Sequence, residues 1–247
     1  MSNTVYELKS FYNGKLGRVV RRIMQERIRR FWPDMNTMNM LGCGYAVPFM
    51  RFYRGDAARM SVQMMPESGA FHWPHDEKNC AFLSALDMLP IETNSVDRLL
   101  CIHGLEHAQD EEKTLRELWR VLKSNGRALI IVPNRAGLWA HADWSPYGEG
   151  RPYTMSQLCM SLKKQRFIIE RSEEALFIPP LKYTPLLKMA RIFENFGSKY
   201  LPIAAGVHMV EVSKQLYARV DPPKGSKVAA RIPQIMMPKP TSRNSHG

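Results

Sequence analysis

A short apolar run from Thr37 to Leu41 leads straight into Gly42-Cys43-Gly44, and Ala46 to Tyr53 then has helical character. Strand, glycine turn, helix is the opening unit of an open α/β sheet, and such sheets bind ligands outside the carboxyl ends of their strands. Glycine suits that turn because a side chain would hold a ligand away from the backbone. The rest of the chain continues the alternation. Met60 to Met65 is an apolar run ending at Pro66, Ala81 to Leu86 a shorter one, and Val96 to His103 reads as a buried strand. Asp110 to Leu122 has helical periodicity through Leu115, Leu118, Trp119 and Leu122, and Ser124-Asn125-Gly126 ends it. Arg127 to Val132 is the strongest strand pattern, stopped by Pro133. Strands and helices at this spacing predict a parallel, doubly wound α/β sheet. Helices at 154–164 and 183–196 and strands at 167–177 and 207–217 are expected to follow.

Ahead of the sheet, Tyr12, Leu16, Val19, Val20, Ile23, Ile28 and Phe31 recur at helical spacing with arginines between them. One amphipathic helix is expected, ending at Trp32-Pro33. The chain therefore divides into a basic helix (1–32), a sheet domain (33–219) and a Pro/Lys/Ser/Arg-rich basic tail expected to be disordered (220–247). Formal charge is +12 over 247 residues, and its location matters more than its size. Residues 1–30 hold eight Lys/Arg against Glu7 and Glu26, and residues 214–247 hold seven against Asp221. The middle is thus neutral, and weak contact with nucleic acid or an anionic surface is expected only through the two ends. The plainer reading of the basic helix is that its apolar stripe docks on its own domain.

With 45% hydrophobic residues the chain can fill a core. It has no apolar stretch near the roughly 20 residues of a membrane span. Met1 to Lys9 lacks the apolar segment of a secretory signal, so a cytoplasmic protein is expected. Cys43, Cys80, Cys101 and Cys159 are scattered, which argues against a disulfide framework or a zinc site. No metal is expected.

Two longer blocks identify a family. Ser95-Val96-Asp97-Arg98-Leu99-Leu100-Cys101-Ile102-His103-Gly104-Leu105-Glu106-His107 resembles the fourth-strand motif of class I S-adenosylmethionine-dependent methyltransferases of the type-11 group. Leu115 to Arg127 is similar to the helix, turn and fifth strand that follow in that group, and Asp87-Met88-Leu89-Pro90 to its acidic-Leu-Pro turn. The resemblance is close over residues 37–135 and looser to about 217. It implies a Rossmann-like seven-stranded sheet with the last strand antiparallel, and S-adenosylmethionine as cofactor. It implies that Leu41, Gly42, Cys43 and Gly44 face the methionine and ribose portions. Met65 would then approach the ribose, Ala85 and Leu86 the adenine, and His103 the sulfonium.

Several positions depart from the family pattern. Met40 stands where an acidic residue usually precedes the glycines, and Ala46 replaces the third glycine. Val62-Gln63-Met64-Met65-Pro66 offers no carboxylate for the ribose unless Glu67 reaches back, and Ala85 replaces an aspartate near adenine. Each lost hydrogen bond is worth about 1 kcal/mol, or about 1.5–3 where the partner was charged. Two functions follow: methyl transfer to a small or modest-sized acceptor, or a catalytically inactive scaffold with basic termini.

Methyl transfer needs collinear, dry reactants more than a particular set of side chains. His103 or His107 could deprotonate an acceptor, while the plainer role for Glu106 and His107 is to start the next helix. Glu106 does not complete a His-Glu-x-x-His metal pattern. After the fifth strand, Trp139, Trp144 and Tyr153 could stack a planar acceptor, Arg135 and Arg151 could pair with an anionic one, and Asn134 belongs to the same expected pocket. The plainer reading is a lid packed by its own aromatics. His72, Trp73 and His75 lie in the loop after the second strand, where they could cover the cofactor or form an ordinary surface loop.

Overall fold

The computed structural model describes residues 4–181, 187, 189–200 and 204–214. One seven-stranded sheet organises them, with strand order β3-β2-β1-β4-β5-β7-β6. The strands are β1 (Asn39–Gly44), β2 (Arg59–Met64), β3 (Ala81–Leu83), β4 (Val96–Ile102), β5 (Leu122–Pro133), β6 (Phe167–Ala175) and β7 (Val207–Lys214). The neighbours from β3 to β5 pair in parallel, and β7 is antiparallel to both β5 and β6. This is the doubly wound sheet with an antiparallel last strand that the sequence predicts. β1, most of β4 and the second half of β5 (Ala128–Pro133) are buried, as strands covered on both faces must be.

The amino-terminal segment differs from the single helix expected. It forms α1 (Val5–Asn13) and α2 (Lys15–Phe31), broken at Gly14, whose backbone is extended. The apolar stripe runs on across the break, so periodicity alone could not reveal it. Thr4 and Glu7 form a capping box that starts α1. The two helices meet at Gly17, where a Cβ would overlap the backbone of Phe11. α2 buries Leu16, Val20, Ile23, Met24, Ile28 and Phe31, each worth about 1.5–3 kcal/mol when taken from water. Of its arginines, Arg18, Arg22, Arg29 and Arg30 are exposed, Arg21 is half-buried, and Arg27 reaches Glu173 at 3.5 Å and Glu194 at 3.6 Å.

After β1 the expected helix is only α3 (Val47–Met50), followed by a 3-10 turn at Arg51–Tyr53. α4 (Glu111–Val121) and α5 (Met155–Lys164) lie where expected, each started by a side-chain cap, Asp110 and Thr154. The helix expected at 183–196 is represented by α6 (Ala190–Tyr200), and its earlier part falls largely outside the described residues, as does the basic tail from 215 onward. No helix among the described residues is long and apolar enough to cross a membrane.

α2 is tied to the far side of the sheet by Trp32, whose indole Nε1–H donates to Glu211 Oε1 on β7 at 2.8 Å. Glu211 is buried and shares its other oxygen with Arg127 at 3.1 Å. Replacing Trp32 with Phe removes one charged-acceptor hydrogen bond, so urea denaturation should show a loss of about 1.5–3 kcal/mol.

Candidate active site

The glycine segment is strand to its end, which corrects the turn expected at residues 42–44. β1 pairs with β4 through Gly42↔Leu100, Cys43↔Cys101 and Gly44↔Ile102, and the Tyr45 N–H then donates to Ile102 O at 2.9 Å. Gly44 has φ +76°, and a Cβ there would overlap the carbonyls of Ile102 and His103. Glycine is required by the neighbouring strand rather than by open space for a ligand. Gly42 is likewise backed by the side chains of Met50 and Ala46. Leu41 and Cys43 point into the core beside Leu99 and Cys101.

The sequence reading missed Gln63 on β2. It is fully buried, its Oε1 accepts the Gly44 N–H at 3.0 Å, and its Nε2 donates to Ser84 O at 2.6 Å. A lone amide within the apolar run Val62–Met65 was the available signal, because a buried polar side chain needs partners.

Beyond β4 the chain turns at His103, which has φ +52° and is 1% exposed. Its Nε2 lies 2.6 Å from the Tyr12 hydroxyl, and its Nδ1 lies 3.5 Å from Glu106 Oε1. The second oxygen of Glu106 accepts the Gly104 N–H at 3.0 Å. Tyr12 Oη also lies 2.9 Å from Tyr147 Oη. A row Glu106, His103, Tyr12, Tyr147 thus runs through the dry interior, with every member at most 2% exposed. With a carboxylate facing Nδ1, the ring proton belongs on Nδ1, and Nε2 accepts from Tyr12.

The rings hold this row in place. Tyr12 stacks on Tyr45 at 5.8 Å and meets Phe49 edge-on, and Tyr147 packs on His103 at 4.8 Å. Burial, then Tyr147, pushes the Tyr12 phenol well above its ordinary value. Burial alone would raise Glu106, but its hydrogen bonding and attraction to His103, with a further contribution from His107, hold it below the usual glutamate range.

The loop after β5 is spent on packing. The Trp139 indole donates to Ile178 O at 2.7 Å, Asn134 Nδ2 donates to Ala205 O at 2.8 Å, and the Tyr153 hydroxyl donates to Glu111 at 3.1 Å. Arg135 donates to Pro152 O at 3.0 Å. Arg151 is different. It is exposed and lines a cavity of about 430 Å³ with Met65, Glu67, Glu106, His107 and Gly150. Of the expected cofactor contacts Met65 lines this cavity, whereas Leu41 to Gly44, Ala85, Leu86 and His103 do not. Ala85 is exposed, and Leu86 is buried against Gly104.

Residues 40–130 match the family model of a methyltransferase domain. This segment is a class I methyltransferase domain. Ajmaline N-methyltransferase of Rauvolfia serpentina is 35% identical over 105 residues, which cover 42% of this chain and 31% of that protein. The chain therefore spans about a third of that relative's length, and under half that of a second curated relative. A SAM-dependent methyltransferase of Thermotoga maritima shares the fold with a TM-score of 0.60 at 15% identity, over 85% of this chain and 96% of its own. Geranyl diphosphate C-methyltransferase of Streptomyces coelicolor, solved with S-adenosyl-L-homocysteine, gives 0.55 at 12% identity over 77% and 76%. S-adenosylmethionine is the cofactor of this domain family.

The donor groups at the carboxyl edge suit that molecule at one place. Gly44 N–H is already taken by Gln63, and the rings of Tyr12 and Tyr147 pack against His103. The adjoining cavity supplies a carboxylate (Glu67) for hydroxyl groups, an apolar thioether (Met65) for a ring face, and a guanidinium (Arg151) for a carboxylate.

Two outcomes follow from this geometry. Gly44→Ala forces a side chain into both a left-handed backbone and two carbonyls, and should cost at least about 2 kcal/mol by chemical denaturation. Glu106 is held below its ordinary value, so it stabilises the fold above the unfolded glutamate pKa of about 4.3 and loses that contribution as pH falls through its folded value. Thermal melts of Glu106→Gln should therefore lie below wild type at neutral pH, and the gap should begin to narrow as pH falls below the unfolded value of about 4.3.

Proposed function

We propose that this chain is an S-adenosylmethionine-dependent methyltransferase in which His103 takes the proton from a small or modest-sized acceptor. The buried pair of Glu106 and His103 at the end of β4 carries this reading. Glu106 faces Nδ1 and favours the tautomer protonated there; Nε2, which accepts from Tyr12, takes the acceptor's proton once the acceptor's O–H or N–H displaces the Tyr12 hydroxyl, and the carboxylate offsets the charge that appears on the ring. The Tyr12 hydroxyl 2.6 Å from Nε2 supports an O–H or N–H donor as the group that nitrogen takes. When bound, the cofactor supplies an electrophilic methyl group, and the nucleophile in line with it must be deprotonated and dry.

Glu67, Met65 and Arg151 are the residues proposed to hold the cofactor in the adjoining cavity, with His107 on its wall. All four cysteines are free, which suits the reducing cytoplasm. Weak contact with nucleic acid or an anionic surface is supported by the exposed Arg18, Arg22, Arg29 and Arg30 of α2.

Calorimetric titration with S-adenosylhomocysteine tests the reading. Micromolar affinity is expected, and Glu67→Gln should weaken it about tenfold, the loss of one hydrogen bond to a charged group. No heat at millimolar ligand would overturn the enzyme in favour of an inactive scaffold.

A further inference from the structure

Tyr12 and Tyr45 also line a second cleft, of about 210 Å³, bounded by α1, α2, α3 and the loop at 71–76. Four cations reach it: Lys9, Arg21, Arg51 and Arg54. Arg54 is spent on Glu77, and the one carboxylate on the lining, Asp76, is engaged by His75 at 2.8 Å. Lys9, Arg21 and Arg51 have no carboxylate partner among the described residues. Lys9 Nζ instead stands 5.8 Å over the Phe71 ring. Burial pushes the Tyr45 phenol up to about 12, against the pull of Arg21, so the ring stays neutral and adds no counter-charge. Three uncompensated cations of separate elements thus converge on one concave space walled by Tyr45 and Phe71. Like charges gathered this way repel one another, and an anion between them reverses the sign of that interaction.

We propose that this cleft binds a small organic anion carrying a planar ring, such as an aryl phosphate or aryl carboxylate. The anionic group sits among Lys9, Arg21 and Arg51, where guanidinium forks match phosphate and carboxylate oxygens. The ring lies against Tyr45 and Phe71. Space for about seven waters admits a phosphate and one ring, and is too small for a polynucleotide. Nothing in this inference requires the methyl-transfer reading, and the two fail separately because their probes differ.

Phenyl phosphate, titrated calorimetrically into the full chain, tests it, with inorganic phosphate and phenol as the two half-probes. Phenyl phosphate should bind at least about tenfold more tightly than either half, and Arg21→Gln and Arg51→Gln should each weaken it about tenfold. Arg116→Gln, an exposed change on α4, should leave it unaltered. The proposal is overturned by no heat at millimolar phenyl phosphate, by equal binding of inorganic phosphate, or by affinity indifferent to both cleft variants. A short RNA that displaces phenyl phosphate with greater affinity also overturns it, in favour of polyanion binding. Failure with S-adenosylhomocysteine but success here would remove the enzyme reading and leave the cleft.

Discussion

The contact on which the molecule turns is the backbone closure of Gly44 against the end of β4. Because β1 and β4 stay paired through Gly44 and Ile102, Tyr45 follows directly onto Ile102 O, and its ring is delivered to the face where α1 docks. The same closure needs a left-handed glycine on one strand and a left-handed His103 on the other. Both are costly backbone states for most residues, and their coincidence at a strand end is typical of a site held in place by its surroundings. Remove the closure and the imidazole has no fixed direction.

The buried row of Glu106, His103, Tyr12 and Tyr147 is the energetic counterpart of that geometry. Polar groups in a dry interior are costly when unpaired and modestly favourable when paired, and the difference is larger when one of them is charged. Tyr12 is hydrogen-bonded to both His103 and Tyr147, Glu106 faces the imidazole Nδ1 at 3.5 Å, and the chain contributes the four from separate places: α1, the end of β4, the turn after it and the loop after β5. This row explains why α1 is docked by Tyr12 rather than merely covered: its hydroxyl is the partner that His103 would otherwise lack.

The sheet was legible because its strands are buried on both faces and so appear as continuous apolar runs, while the helices between them carry caps and period. α4 and α5 started within a residue of expectation for that reason. The site was less legible. Trp139, Tyr153 and Asn134 read equally well as a substrate pocket or as packing, and their bonds to Ile178, Glu111 and Ala205 depend on segments far away in the chain. Gln63 was passed over as one polar residue in an apolar run, because its two partners, Gly44 and Ser84, lie on different elements.

The sequence alone determined the sheet, its order of elements and the family of the domain, because local periodicity, turn residues and ordered motifs are properties of the chain itself. Tertiary structure decided which groups meet. Tyr12 and His103 are 91 residues apart, and no pattern along the chain encodes a 2.6 Å contact over that separation. It decided, too, that Gly44 is glycine for the sake of a neighbouring strand, and that the open cavity lies beside Met65 and Arg151. Contacts of this kind are set by packing between elements, where the energy depends on all partners at once and not on any one segment.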